Sequence, residues 1–233
     1  MPIFRSGGKT FYFAHVPRCG GTSVEDAVTA GGAAQSFLDR RFHDRGPKPW
    51  TRTSPQHALA ADIAHLFPGD FFDLTFAIVR HPFARFVSAF NFNRENSVLP
   101  AETHPKTFIE ELAARGDGMA GTYDNHFVPA SDFVPKGAHI FLLESGLDVV
   151  SDWLREATDG TLAPVIKEKN SKSMSLKAYE RRAKRIVGLA PRILPISQAD
   201  LDEGAKSTLR RIYAADFDRF PRETGDPDRW ERD

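Results

Sequence analysis

The 233-residue chain has a single cysteine, Cys19. No intrachain disulfide can form, which fits a reducing compartment. The chain also lacks net charge, with 31 Lys and Arg against 31 Asp and Glu. That excludes a global electrostatic footprint for nucleic acid, so any anion site must be local. Long apolar runs are missing as well. Residues 1–9 are short and polar, and the longest apolar stretches, such as 71–79, are strand-sized. Neither a signal peptide nor an integral membrane segment is expected, and the expected location is cytoplasmic. Internal repeats, low-complexity tracts and linkers are absent too, and 41% hydrophobic residues exclude disorder of the whole chain.

What is present alternates between strand-like and helix-like segments. Residues 11–16 (FYFAHV), 75–79 (TFAIV) and 139–143 (HIFLL) read as strands. Helices are expected from Thr22 onward, over 57–66, 83–93, 108–114, 147–155 and 176–187, and as one element over 199–217. Residues 35–55 and 162–175 read as polar loops. The alternation predicts an α/β fold of three layers, α/β/α, around a central parallel sheet. One domain over 1–233 is expected, with 221–233 a frayed tail.

The first joint, FAHVPRCGGTSVE, runs strand, turn, helix over residues 13–25. Gly20 and Gly21 allow a tight turn without a Cβ against a ligand. The helix start then offers unpaired N–H groups and its dipole to an anion. Thr22 and Ser23 add hydroxyls, and Arg18 adds a planar cationic fork. The same pattern also suits a plain strand-to-helix turn with a Thr or Ser cap. A P-loop NTPase signature requires a Lys before Thr22, where this chain has Gly21. The strand 75–79 also ends without the Asp that would hold magnesium.

The second joint, TFAIVRHPFARFVSAF, repeats the arrangement over residues 75–90. Arg80 sits where a buried strand emerges, a position that calls for solvent or an anion. Ser88 lies two helical turns further on and can converge with Arg80 on one phosphate. Arg85, between them, suits either the same site or a surface ion pair. Taken singly, Arg80 and Ser88 also fit a solvated strand end and a helix filler.

Taken together, the two joints resemble the cofactor motifs of carbohydrate sulfotransferases that use 3'-phosphoadenosine-5'-phosphosulfate (PAPS). FAHVPRCGGTS is similar to their 5'-phosphosulfate loop, and Arg80 to Ser88 resembles their R-x-P-x-x-R-x-x-S motif for the 3'-phosphate. Residues 123–133 (YDNHFVPASDF), 168–171 (EKNS) and 212–220 (IYAADFDRF) resemble three further family segments. Arg18 stands where the family commonly has Lys, and Cys19 where it usually has Thr. The resemblance implies a sheet related to that of P-loop kinases. It assigns the 5'-phosphosulfate to Arg18, Cys19, Gly20, Gly21, Thr22 and Ser23, and the 3'-phosphate to Arg80 and Ser88. Lys169, Asn170 and Ser171 would close over the nucleotide, which leaves as PAP, the 3',5'-bisphosphate. No metal is required, because sulfuryl transfer rests on positioning and charge stabilisation.

The acceptor hydroxyl must lose a proton, so a general base is needed. His57, between the two motifs, is the candidate, since several relatives carry a catalytic His in that interval. It also fits an ordinary polar residue in a first turn. His126 is the second candidate, and Glu25 and Asp62 are carboxylate alternatives. His15 reads as structural, and His81 as part of the motif turn. The basic and aromatic loop with Arg41, Arg45 and Trp50 suits an acidic sugar, and equally a solvated loop. The expected partner is a small-molecule, oligosaccharide or glycolipid acceptor. Two rival readings remain: a nucleotide kinase or NTPase on the same scaffold, and a non-catalytic module binding PAP or sulfated glycan.

Overall fold

The three strands expected from the sequence lie side by side in a five-stranded sheet and form one side of it, with the last of the three at the edge. The order is β3 (Gln35–Ser36), β1 (Ile3–Ser6), β2 (Lys9–Ala14), β4 (Leu74–Val79), β5 (His139–Leu142). The computed structural model describes residues 2–44, 51–166, 193–226 and 228–230. β2 (Lys9–Ala14) and β4 (Leu74–Val79) pair in parallel, as do β4 and β5 (His139–Leu142). Phe13 lies opposite Phe76 and Ala14 opposite Ala77, so the carboxyl ends of β2 and β4 emerge side by side. In parallel sheets that edge is where ligands bind.

The other side of the sheet was not expected. β1 (Ile3–Ser6) pairs antiparallel with β2, and β3 (Gln35–Ser36) pairs antiparallel with β1. Gly7 and Gly8 join β1 to β2 at φ of 56° and 75°. Two left-handed residues make the tight turn that matches strand twist. The segment is therefore a hairpin rather than a polar lead-in: Ile3 and Phe4 are buried, and Phe4 stacks on Phe11 at 4.9 Å.

Helices flank the sheet: α1 (Gly21–Ala30), α2 (Ala60–Leu66), α3 (Pro82–Glu95), α4 (Pro105–Arg115) and α5 (Asp148–Ala157). The helix expected over 57–66 divides. Pro55–His57 is a 3-10 turn, Ala58 and Leu59 are extended, and α2 begins only at Ala60. The helix expected over 199–217 divides too, into Glu203–Ile212 and Ala214–Glu223. Asp202 caps the first of these by accepting from the Ala205 N–H at 2.7 Å. Tyr213 interrupts the run while its hydroxyl donates to the Phe127 carbonyl at 3.0 Å. The tail does not fray as far as Trp230, which is buried and packs edge-on against His81, Phe217 and Phe220. Burying an indole holds the end of the chain against the core. The helix expected over 176–187 lies outside the described residues. No helix among the described residues is long and apolar enough to cross a membrane.

Candidate functional site

Beyond β2 the chain turns through Arg18 (φ 68°) and Gly20 (φ 83°) and enters α1 at Gly21. Glycine takes the left-handed conformation at Gly20 without strain. At Gly21 the need is space: a Cβ there would sit 2.2 Å from His15 Nε2. Gly20 caps α1 without a side-chain acceptor, and the first turn carries no acidic residue. The leading N–H groups and the helix dipole therefore suit an anion. Thr22 is exposed at this start and Ser23 is buried. Cys19 is buried against the core, and burial pushes its thiol up to about 12. It is a neutral packing residue rather than a nucleophile.

The second joint is built from a strand end and a proline. His81 caps α3, its Nδ1 accepting from the Phe83 N–H at 3.2 Å, with Pro82 in the first helical position. The His81 N–H donates to Glu144 Oε1 at 2.8 Å. Arg80 is half-buried where β4 ends. Arg18 joins the two motifs: its Nε donates to Ser88 Oγ at 3.2 Å, and its guanidinium lies 4.3 Å over the Phe92 ring. Burial lowers the Arg18 pKa, and repulsion from Arg80 lowers it further. Two cations that feel each other at a helix start are relieved by an anion between them.

Arg85 takes neither of its expected places. It is fully buried, donates to the carbonyls of His126 and Val128, and lies 5.3 Å over the Tyr213 ring. A buried guanidinium must find acceptors, and here it binds the loop that carries His126.

Next to the cradle lies a cluster of histidines around Asp124. His57 is buried, and its Nδ1 lies 2.9 Å from Asp124 Oδ2, 3.0 Å from the Asp124 carbonyl and 3.1 Å from Ser54 Oγ. Asp124 also accepts from the Ser54 N–H at 2.6 Å, from Ser54 Oγ at 2.7 Å and from His43 Nε2 at 3.2 Å. Burial opposes ionisation of Asp124, but the hydrogen bonds from His43, His57 and Ser54 prevail and hold its carboxyl far below the usual range. With Nδ1 donating to that carboxylate, the neutral His57 ring keeps its lone pair on Nε2.

His126 faces His57 with ring centroids 5.3 Å apart, and its Nδ1 accepts from Asn93 Nδ2 at 3.0 Å. Burial, with help from the nearby His57, holds its pKa well below 6.5. His15 lies 5.0 Å from His57 on the other side, and its Nδ1 contacts Glu25 Oε1 at 2.6 Å. The cluster adjoins the cradle at two points. His15 packs under Gly21, and Phe92, covered by Arg18, meets the His126 ring at 5.2 Å.

The remaining sequence candidates divide. Glu25 is committed to His15 and, at 3.6 Å, to Arg40. Asp62 is exposed and accepts from the Leu59 N–H at 3.4 Å, away from the cluster. Arg41 is exposed. Arg45, Trp50, Lys169, Asn170 and Ser171 lie outside the described residues. Sequence reasoning missed Asp124, Ser54 and His43. The signal was the Asp124–Asn125 pair: Tyr123, Asp124 and Asn125 all have positive φ, of 48°, 54° and 60°. Asp and Asn are the side chains that tolerate such a turn.

A parallel sheet core, a glycine turn opening a helix, and a second cationic strand end beside it define an α/β protein whose first helix start suits an anion. The sequence model of the Sulfotransferase family matches residues 1–221, and the chain belongs to that family. Membership makes it a sulfuryl-group transferase. No curated protein and no solved structure gives a significant match.

Proposed function

We propose that this protein transfers a sulfuryl group from PAPS to a hydroxyl of a carbohydrate or other small acceptor, with His57 as the general base. The observation that carries this reading is the buried 2.9 Å contact between His57 Nδ1 and Asp124 beside a helix start that suits an anion. The cradle fits the group: Gly20 gives no side-chain cap, and Arg18 and Arg80 bring two positive charges close together.

When bound, PAPS supplies the sulfuryl group and PAP is the leaving group. The backbone of residues 18–23 with Thr22 and Ser23 would hold the 5'-phosphosulfate, and Arg80 with Ser88 would hold the 3'-phosphate. By the family resemblance, Lys169, Asn170 and Ser171 would close over the nucleotide. Arg18 would offset the charge that grows on the leaving oxygen. His57 Nε2 takes the acceptor proton. Asp124 fixes the tautomer and stabilises the imidazolium that forms. His57 Nδ1 is engaged by Asp124 and His126 Nδ1 by Asn93, and we read His57, Asp124 and His126 as acid–base machinery for a transfer that rests on positioning and charge stabilisation. By composition, the loop with Arg41, Arg45 and Trp50 would suit an acidic acceptor.

The test is a thermal-shift titration with PAP, its 3'-dephosphorylated analogue, and ATP with magnesium. A ligand of the folded state alone stabilises by about 2.7 kcal/mol at a hundredfold excess over its Kd. A rise with PAP that disappears without the 3'-phosphate is expected. A rise only with ATP and magnesium would overturn the reading in favour of a kinase.

A further inference from the structure

We propose that His43 is a positioning residue for His57, acting through the one Asp124 oxygen that the two rings share. The inference rests on the reading of His57 as the base. Asp124 Oδ2 lies 2.9 Å from His57 Nδ1, 3.2 Å from His43 Nε2 and 2.7 Å from Ser54 Oγ. Three donors thus crowd one oxygen, while Oδ1 accepts from the Ser54 N–H. A carboxylate offers about two lone-pair sites per oxygen, so the donors compete.

The two rings differ in surroundings. His57 is buried, with His15 and His126 against it. His43 belongs to the 3-10 turn Phe42–Asp44, anchored by the buried Phe42 ring, and its own side chain is 69% exposed. Asp124, Asp44 and Asp39 face it, and the hydrogen bond to Asp124, acting against partial burial, raises its pKa above 6.5. His43 therefore carries its charge further into the neutral range than an ordinary histidine. As a cation it draws on the Asp124 charge. The His57 imidazolium is then less stabilised, and the ring stays ready to accept a proton.

Without His43, Asp124 serves His57 alone, and His57 holds its proton to higher pH. The experiment is an NMR pH titration of the imidazole Cε1–H signals in the full chain, for the unaltered protein, His43→Gln and His43→Lys. In His43→Gln the His57 midpoint rises by about half to one pH unit, at the lower end of the shifts that a nearby charge causes. In His43→Lys, which keeps a cation at the rim, the midpoint returns toward that of the unaltered protein. The acid limb of kcat/KM for sulfuryl transfer moves with it. An unmoved His57 midpoint in a folded His43→Gln would overturn the proposal. So would equal shifts in both variants, since those mark a structural role. If His57→Ala keeps full turnover, the base reading fails, and the titration still decides whether His43 acts on His57.

Discussion

The anion cradle and the histidine cluster touch each other, yet they are made in opposite ways. The cradle comes from two strand-to-helix joints whose strands, β2 and β4, are paired in register. Most of its groups are backbone N–H groups and side chains within a few residues of a glycine turn. The cluster is assembled from residues 43, 54–57, 93 and 124–126, with no regular element beneath most of them. Its loop is fastened from behind. Arg85 holds the His126 and Val128 carbonyls, Asp216 accepts from the Ala130 and Ser131 N–H groups at 2.8 Å each, and Tyr213 reaches the Phe127 carbonyl. Of the three successive left-handed residues, Asp124 and Asn125 tolerate the conformation, while Tyr123 costs about 1–2 kcal/mol. Such strain persists only where surrounding contacts over-determine the backbone. Anion binding needs little more than a helix end, whereas a base needs its orientation fixed from several directions.

The sharpest way to separate the two regions is Asp124→Asn. It leaves the cradle intact and removes the carboxylate that orients His57. Turnover should fall by about 10⁴-fold, the scale found when a base loses its orienting carboxylate. Steady-state assays at saturating PAPS check this. The converse change, Arg80→Ala, removes the cation proposed to meet the 3'-phosphate. PAP affinity should fall by about 10–150-fold, the equivalent of about 1.5–3 kcal/mol, measured by calorimetry. The smallest effect is on stability in acid. His126 and His15 are held below 6.5 chiefly by burial, so the unfolded chain binds protons first. Their contribution is complete above pH 6.5 and declines as pH falls below it. That of Asp124 is complete above its ordinary 3.8 and declines only below that. His126→Gln should flatten the loss of Tm between pH 7 and 5 by a few degrees, on the scale of about 1 kcal/mol, and leave the lower step in place.

The same contrast explains what the sequence made legible. The joints at 13–25 and 75–90 were readable because turn, strand end and helix start are all local. Helical spacing carries Ser88 to the Arg18 Nε at 3.2 Å, a contact between the two joints. Arg85 stands in the same motif but was misplaced. Only the carbonyls of residues 126 and 128, distant in sequence, make its burial tolerable. Asp124 was passed over because its partners lie about seventy residues away. The N-terminal hairpin was a different kind of miss: Gly7 and Gly8 between apolar pairs gave a local signal that the polar flanks obscured. Burial of Trp230 came from tertiary contacts that no tail composition reveals.

The most direct test of the account is the PAP affinity of Asp124→Asn, measured by calorimetry beside Arg80→Ala. If cradle and cluster are separate devices, Asp124→Asn binds PAP within about twofold of the unaltered protein while its turnover collapses. A loss of affinity as large as that of Arg80→Ala would contradict the account, because Asp124 would then be part of the anion site.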